Sequence, residues 1–162
     1  MISSQYNRKF RYYHTLSHIY QMYSLLESYS SNYPQILELS IWFHDAIYYA
    51  DYKGFHNDRN NEVKSKDLFV EFCKDCKINE CYNKVESYIL ATITHRPELT
   101  EEEELFFLDL DMSILGANEE IYNEYSENIK REYSFYSDVD YRKGRSQVLQ
   151  KFLERDQIYY SD

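Results

Sequence analysis

The stretch PQILELSIWFHDAIY, residues 34–48, decides the fold, because apolar side chains fill most of its positions. Pro34 suits the first turn of a helix, where its missing N–H leaves no intrahelical hydrogen bond unmade. We therefore predict a helix that is apolar on most sides and lies at the centre of a helical bundle. His44 and Asp45 stand inside this stretch, although a charged side chain is costly to bury without a partner.

Apolar residues recur at helical spacing in nearly every other segment of the chain. Pro97 is predicted to end the fourth helix and Gly116 the fifth, since both residues interrupt helices. Thr100 is predicted to cap the fifth helix, and the acidic run 101–104 is predicted to be solvated. The polar segment 50–60 is predicted to be a loop. The predicted helices cover residues 16–29, 34–48, 61–72, 85–95, 101–115, 119–136 and 139–154.

The composition agrees with an all-α fold. With only 3 Gly and 2 Pro among 162 residues, the chain has few residues that favour the tight turns of a sandwich or barrel. No repeat, linker or shift in composition divides it. The sequence therefore predicts a single domain over residues 1–162, an all-α bundle of about six or seven helices.

The formal net charge of −10 disfavours binding along a nucleic-acid polymer, whose backbone is also negative. A small phosphorylated substrate stays possible if a metal and a few basic side chains make a local positive pocket. No apolar run is long enough for a membrane helix, and the first residues lack the apolar stretch of a secretory signal. We expect a cytoplasmic protein with no membrane partner.

Three cysteines, Cys73, Cys76 and Cys81, lie close together in the sequence. A structural zinc site normally needs four protein ligands, and no fourth Cys or His follows at the usual spacing. Ordinary reduced cysteines in a turn are therefore preferred to a zinc site.

Histidines and acids in apolar helices indicate a metal. His18 lies on the first long helix, His44 and Asp45 follow on the second, and Asp109 and Asp111 stand in another apolar helix. Imidazole and carboxylate together suit Mn, Fe, Co, Ni or Zn, and suit Mg less well. A packed histidine beside an acid would give the same local pattern, so spacing alone leaves both interpretations open.

The order of these residues on successive helices resembles the HD-domain superfamily of metal-dependent phosphohydrolases. The resemblance is closest to a small-domain subfamily of predicted HD phosphohydrolases. Several blocks in the same order are more specific than any one of them. The blocks that carry the resemblance are residues 11–19, 42–48, 61–65, 91–95, 107–117, 131–133 and 144–145.

The resemblance implies that His18, His44, Asp45 and Asp111 hold one divalent metal ion. Asp109 competes with Asp111 for the last role. Asp111 is preferred, because the final Asp of the superfamily directly precedes a Leu/Ile-rich turn that ends in Gly.

The resemblance also assigns roles around the metal. Glu62 and His95 fall where ligands of a second metal would lie, and Glu in place of His is a departure that favours an acid/base role for Glu62 instead. His14 is expected to support the metal ligands or to contact phosphate, with a packing role as the alternative. Arg11 and Arg145 are expected to bind the substrate, since Arg binds phosphate with a two-pronged guanidinium.

The implied activity is hydrolysis of a phosphate ester or anhydride, with a nucleotide as the leading substrate. One metal ion is expected and a second is possible. One alternative is a di-iron oxygenase, whose second iron Glu62 and His95 would help to hold. Another is a non-catalytic module that binds a metal or a nucleotide. The oligomeric state stays open.

Overall fold

The structure is a computed structural model, which describes residues 2–29, 34–50, 61–76 and 82–161. All regular structure in these ranges is helical, which confirms the predicted all-α fold. The seven helices longer than one turn agree with the predicted six or seven. The elements are α1 (Ser3–Tyr6), α2 (Leu16–Tyr29), α3 (Gln35–Phe43), α4 (Asn61–Cys76), α5 (Tyr82–Ala91), α6 (Glu102–Met112), a 3-10 turn (Ser113–Gly116), α7 (Glu119–Glu132) and α8 (Asp138–Leu153).

Some predictions fall on residues outside these ranges. They include nearly all of the predicted loop 50–60, with His56, for which the sequence indicates only a surface position. The predicted end of the first long helix at 30–32 and Cys81 also lie outside the described residues. None of the helices in the described ranges has the length and apolar composition that a bilayer-spanning helix needs.

Helix α3 is the central helix, as predicted, because it contacts α2, α4, α5 and α6. Its apolar side chains enter one large core together with side chains from those four helices. Burying these apolar groups is the main favourable contribution to folding. The fully buried members of this core include Ile19, Met22, Leu26, Ile41, Phe69, Val85, Tyr88, Ile89 and Phe107.

The prediction that His44 and Asp45 lie inside this helix is wrong, because α3 ends at Phe43. His44 occupies the C-cap position, and its N–H donates to the carbonyl of Ser40 at 2.9 Å. Asp45 begins the turn that follows. His44 nevertheless stays buried, with its ring against that of Phe107, and Asp45 lies in the turn outside the helix.

Helix α5 also ends earlier than predicted, at Ala91 instead of His95. The Thr92 hydroxyl donates to the carbonyl of Ile89 at 2.7 Å, a local bond of the kind that competes with regular helix. The chain then makes turns, and His95 has a positive φ of 48°. A non-glycine residue at such an angle is strained and needs support from its surroundings.

The start of α6 differs from the prediction in two ways. Glu101 is the N-cap instead of Thr100, and Glu104 is fully buried although the acidic run was predicted to be solvated. The Glu104 carboxylate accepts hydrogen bonds from the backbone N–H groups of Glu98, Leu99 and Thr100, at 3.0, 2.7 and 3.0 Å. The carboxylate therefore fixes the loop that precedes its own helix.

Helices α7 and α8 lie outside the main core. Ile114, Tyr125 and Ile129 form a smaller buried cluster, against which several tyrosines pack. Side chains of Asn118 and Ser137 cap the two helices. Helix α8 has no buried residue, so a few partly buried side chains attach it to the rest of the protein.

We expect the substitution Glu104→Ala to lower the free energy of unfolding by about 2–4 kcal/mol, because three backbone N–H groups lose their acceptor. Glu104→Gln should lose less, since its amide oxygen still accepts. Urea unfolding followed by circular dichroism measures both changes. The control is Glu102→Ala in the same helical turn, where the side chain is exposed. Equal losses for Glu102→Ala and Glu104→Ala would contradict the role of Glu104.

Candidate metal centre

Three helices bring His18, His44 and Asp111 together. His18 is the third residue of α2, His44 caps the end of α3, and Asp111 is the last but one residue of α6. Both histidines are buried, with 3% and 1% of their surface exposed. One ligand atom from each of the three residues lies within 4.8 Å of the other two, so the group could hold a metal ion.

The distances between these atoms resemble those between ligands of one ion. His18 Nε2 and His44 Nε2 are 3.4 Å apart, and Asp111 Oδ1 is 3.2 Å from His18 Nε2 and 3.6 Å from His44 Nε2. Atoms bound about 2.1 Å from an ion lie about 3.0 Å apart in an octahedron and about 3.4 Å apart in a tetrahedron. The three side chains are therefore spaced as ligands of one ion with bonds of about this length.

The orientation of His44 also suits a metal ligand. Its Nδ1 lies 3.0 Å from the carbonyl oxygen of Ile41, which can only accept a hydrogen bond. In the neutral imidazole the proton is then on Nδ1, and the lone pair of Nε2 points at His18 and Asp111. A second hydrogen bond of this kind is what usually orients a histidine that binds a metal.

Asp45 lies beside His18, His44 and Asp111 but contacts only His44 among them. Its Oδ2 is 3.2 Å from His44 Nε2 and 3.9 Å from His14 Nε2. Its role as the fourth ligand stays a prediction.

The charges of the centre act strongly on one another. Burial raises the pKa of Asp45, but the adjacent His44 and His14 outweigh it and hold that pKa well below its ordinary value. Burial likewise opposes ionisation of Asp111, and His44, His18 and His95 outweigh it and hold the pKa of Asp111 far below its ordinary value. Both carboxylates are therefore ionised at neutral pH and attract a cation.

His44 shows the opposite change. Burial lowers its pKa, but the charges of Asp45 and Asp111 outweigh burial and hold the pKa well above 6.5. When no metal ion is bound, a proton on His44 thus supplies the positive charge that the two carboxylates attract. An ion would displace that proton, since a metal ligand must be the neutral imidazole.

The structure separates the two candidate aspartates of α6. Asp109 accepts hydrogen bonds from the N–H groups of Tyr160 and Ser161 at 2.9 and 2.6 Å, and from the Ser161 hydroxyl at 2.6 Å. It anchors the segment after α8 and does not join the histidines. Asp111, preferred from the sequence, is the one that reaches them.

His95 lies against the other oxygen of Asp111, with its Nε2 at 3.1 Å from Oδ2. The strained backbone of His95 is held by the segment after α8. The guanidinium of Arg155 donates to the carbonyl oxygens of His95 and Thr94 at 2.7 and 2.6 Å, and the Tyr160 hydroxyl donates to the His95 carbonyl at 3.2 Å. These bonds fix the turn in the position from which His95 reaches the centre.

Glu62 is the second residue of α4, and the charges of Asp45, His95 and His44 all act on it. Burial is the main cause that raises its pKa above the ordinary value, and the negative charge of Asp45 adds to the effect. Glu62 thus has a raised pKa and lies near the centre. Groups that exchange protons at functional sites commonly share these two features.

His14 and Arg11 support the centre. The buried Glu132 carboxylate lies 2.6 Å from His14 Nδ1, and its other oxygen accepts the N–H groups of residues 12–14. The Arg11 guanidinium donates to the carbonyls of His14, Asp45 and Ala46 at 2.8 to 3.0 Å. Arg11 therefore joins the two loops that carry the centre, and its contact with a substrate stays a prediction.

Arg145 lies further from the predicted ligands. Its guanidinium donates to the Tyr125 hydroxyl at 2.5 Å and covers the Tyr125 ring at 5.2 Å. The Tyr13 ring packs against both Tyr125 and His18, with centroids 4.6 and 4.9 Å apart. Two aromatic rings therefore connect Arg145 to His18.

The sequence-based prediction missed Glu132 and Arg155. Glu132 gave one signal, because an acid in the last turn of a helix is unfavourable for the helix dipole and so indicates a partner elsewhere. Arg155 gave none, since its acceptors are carbonyl groups about 60 residues away.

No protein-family model, curated protein or solved structure matches the chain. Two imidazoles and a carboxylate can bind a divalent ion, and the carboxylate of Asp45 lies beside them. Glu62 adds a carboxyl group of raised pKa near these residues.

Metal binding should strengthen as the pH rises. The pKa of His44 is raised in the folded, metal-free protein, so its proton stabilises the fold below pH 6.5 and this contribution is lost as pH rises through the folded pKa. An ion competes with that proton, so the gain in melting temperature on adding Mn²⁺ should grow over the same range. Thermal melts with and without Mn²⁺ between about pH 6 and 9 test this. A gain that is independent of pH, or that His44→Ala leaves unchanged, would contradict it.

Arg155→Met should release the His95 turn. The Met side chain keeps packing on Phe152 but donates no hydrogen bond, so we expect a loss of about 2 kcal/mol in the free energy of unfolding. The ¹⁵N chemical shift of His95 Nε2 should change, while those of His18 and His44 should not. The matched control is Arg142→Met, at an exposed position of α8. An unchanged His95 signal in Arg155→Met would refute the positioning role.

Proposed function

We propose that the chain is a metal-dependent phosphohydrolase. The observation that carries this proposal is the meeting of His18, His44 and Asp111 at distances that suit one divalent ion. The order of these residues along the helices, which resembles the HD superfamily, supports the choice of reaction. Asp45 would be the fourth ligand, because its Oδ2 already contacts His44.

A divalent ion bound at these residues supplies two kinds of chemistry: it acidifies a coordinated water and it polarises a phosphoryl oxygen. The protein contributes the placement of the reacting groups. Asp45 and Asp111 are held ionised by the neighbouring histidines, and the hydrogen bond from His44 Nδ1 to Ile41 keeps its Nε2 directed inward. The centre is thus arranged before substrate binds, which is how fixed charges lower a reaction barrier.

Proton exchange falls to Glu62 in this proposal. Burial raises the pKa of Glu62 above its ordinary value, and a carboxyl group of raised pKa is better suited to accept and return a proton. His95 is less suited to that step, because its Nε2 already contacts Asp111 Oδ2. His95 would instead hold the Asp111 carboxylate in the orientation that directs Oδ1 to His18.

The substrate class is a phosphate ester or anhydride, with nucleotides as the first compounds to test. The acidic surface of the chain, with a net charge of −10, is unsuited to a nucleic-acid polymer. A small anion can still be bound where the metal and the nearby arginines offset the negative field.

The test is phosphate release from a panel of nucleotides with Mn²⁺, Co²⁺, Ni²⁺, Mg²⁺ or Zn²⁺ added in turn. We expect Asp111→Asn and Asp45→Ala to lower both metal affinity and turnover by at least about a hundredfold, since each removes a ligand. Asp67→Asn, on the surface of α4, is the control and should behave as the wild type. Full activity in Asp45→Ala would contradict the proposal.

One observation favours a second candidate function. Asp111 directs Oδ1 to His18 and Oδ2 to His95, as a carboxylate that bridges two metal ions would. With two irons such a centre could be an oxygenase. Metal analysis of the purified protein separates the two functions: two irons with visible absorption favour the oxygenase, and one Mn or Co favours the hydrolase. Tight nucleotide binding without turnover would indicate a binding module instead.

A further inference from the structure

Arg145 is a partly buried cation without a matching anion. Its guanidinium has five N–H donors, and one hydrogen bond, to the Tyr125 hydroxyl, is made within the described part of the chain. No carboxylate that the structure describes forms an ion pair with it, although the chain carries 28 acids and 18 bases. Withdrawing a cation from water is unfavourable unless hydrogen bonds or an anion compensate, so the free donors of Arg145 favour an anionic ligand.

The surroundings of Arg145 are tyrosine hydroxyls. Tyr122 and Tyr125 lie one helical turn apart on α7, and Tyr141 and Arg145 lie one turn apart on α8, so each pair shares a face of its helix. Tyr122, Tyr125 and Tyr141 all act electrostatically on the guanidinium. The two helices therefore place several O–H and N–H donors side by side.

The hydroxyl of Tyr141 is the second anomaly. It is buried from solvent and finds no hydrogen-bond partner among the residues that the structure describes. A buried hydroxyl without a partner is unfavourable, so such a group often serves a ligand. The guanidinium of Arg145 has one hydrogen bond and the hydroxyl of Tyr141 has none within the described residues, so both groups on this face of α8 have donors left for an acceptor.

The acceptor that fits this pair is an oxyanion. Phosphate has several acceptor oxygens and a negative charge, and a guanidinium binds two of those oxygens at once. The contacts connect Arg145 to the metal ligand His18 through two aromatic rings: the guanidinium covers the Tyr125 ring, and the Tyr13 ring packs against both Tyr125 and His18. We therefore place a phosphate bound at Arg145 apart from the reacting phosphate. A phosphate at Arg145 and a phosphate at the metal centre would belong to different parts of one molecule.

We propose that Arg145, with the hydroxyls of Tyr125 and Tyr141, binds a second phosphate group of the substrate. This inference rests on the proposed phosphohydrolase function and deepens it. The protein then acts on compounds that carry at least two phosphate groups, one at the metal centre and one at Arg145. Compounds with a single phosphate lack this contact and bind more weakly.

Binding of inorganic phosphate to the metal-free protein in EDTA, measured by titration calorimetry, tests the site without catalysis. We expect Arg145→Gln to lower the affinity by about tenfold to a hundredfold, and Tyr141→Phe by roughly threefold to tenfold. Tyr141→Phe should not lower the melting temperature, since its hydroxyl has no partner to lose. This second variant keeps the test valid if Arg145→Gln does not fold.

Two controls make the binding test specific. Tyr136→Phe removes a hydroxyl from a tyrosine that is 40% exposed near the same cluster, and it should leave phosphate affinity unchanged. His18→Ala removes a predicted metal ligand and should also leave it unchanged. Phosphate affinity that is equal in the wild type and Arg145→Gln, or equally reduced by Tyr141→Phe and Tyr136→Phe, overturns the proposal.

Turnover separates this proposal from the proposed function. With Mn²⁺ present, Arg145→Gln should raise KM for a nucleoside 3′,5′-bisphosphate and leave KM for the 5′-monophosphate unchanged. An equal rise for both would place Arg145 at the reacting phosphate and overturn the second subsite. If no compound is hydrolysed but phosphate binding still depends on Arg145 and Tyr141, the hydrolase proposal fails and the anion site stands.

Discussion

Two ionised carboxylates, Asp45 and Asp111, lie against the buried imidazoles of His18 and His44 where α2, α3 and α6 meet. Two negative charges that are largely shielded from water need a positive charge nearby, either a protonated histidine or a metal ion. The surrounding helices and loops hold these side chains together. Helix α3 ends where the charges begin, and the guanidinium of Arg11 joins the two loops that carry them.

Carboxylates also fix loops in this protein. Glu104 accepts three backbone N–H groups ahead of α6, Glu132 accepts three ahead of α2, and Asp109 accepts two after α8. Each satisfies donors that would otherwise be unpaired where no helix can satisfy them. A chain with 3 Gly and 2 Pro has few of the residues that favour turns. Carboxylates that bind the backbone of the loops stabilise the turns instead.

The sequence predicted the helical fold well, because amphipathic spacing is a local property. The central position of α3 and the preference for Asp111 over Asp109 agree with the structure. The errors arise from hydrogen bonds that apolar spacing does not reveal, and these bonds are both local and tertiary. The Thr92 hydroxyl binds the Ile89 carbonyl where α5 ends, and the Glu104 carboxylate binds the backbone just before its own helix. Arg155 supports His95 from about 60 residues away. The identity of the reaction has the same limit, since it depends on what binds between the helices.

The segment after α8 makes the geometry of the centre depend on residues far along the chain. Residues 155–161 hold the strained turn that carries His95, and Asp109 accepts the backbone N–H groups of residues 160 and 161. Asp109 and Asp111 lie two residues apart on α6, so this one helix binds both the segment and the imidazole that the segment positions. A change that loosens residues 155–161 therefore acts on His95 and, through it, on the carboxylate of Asp111.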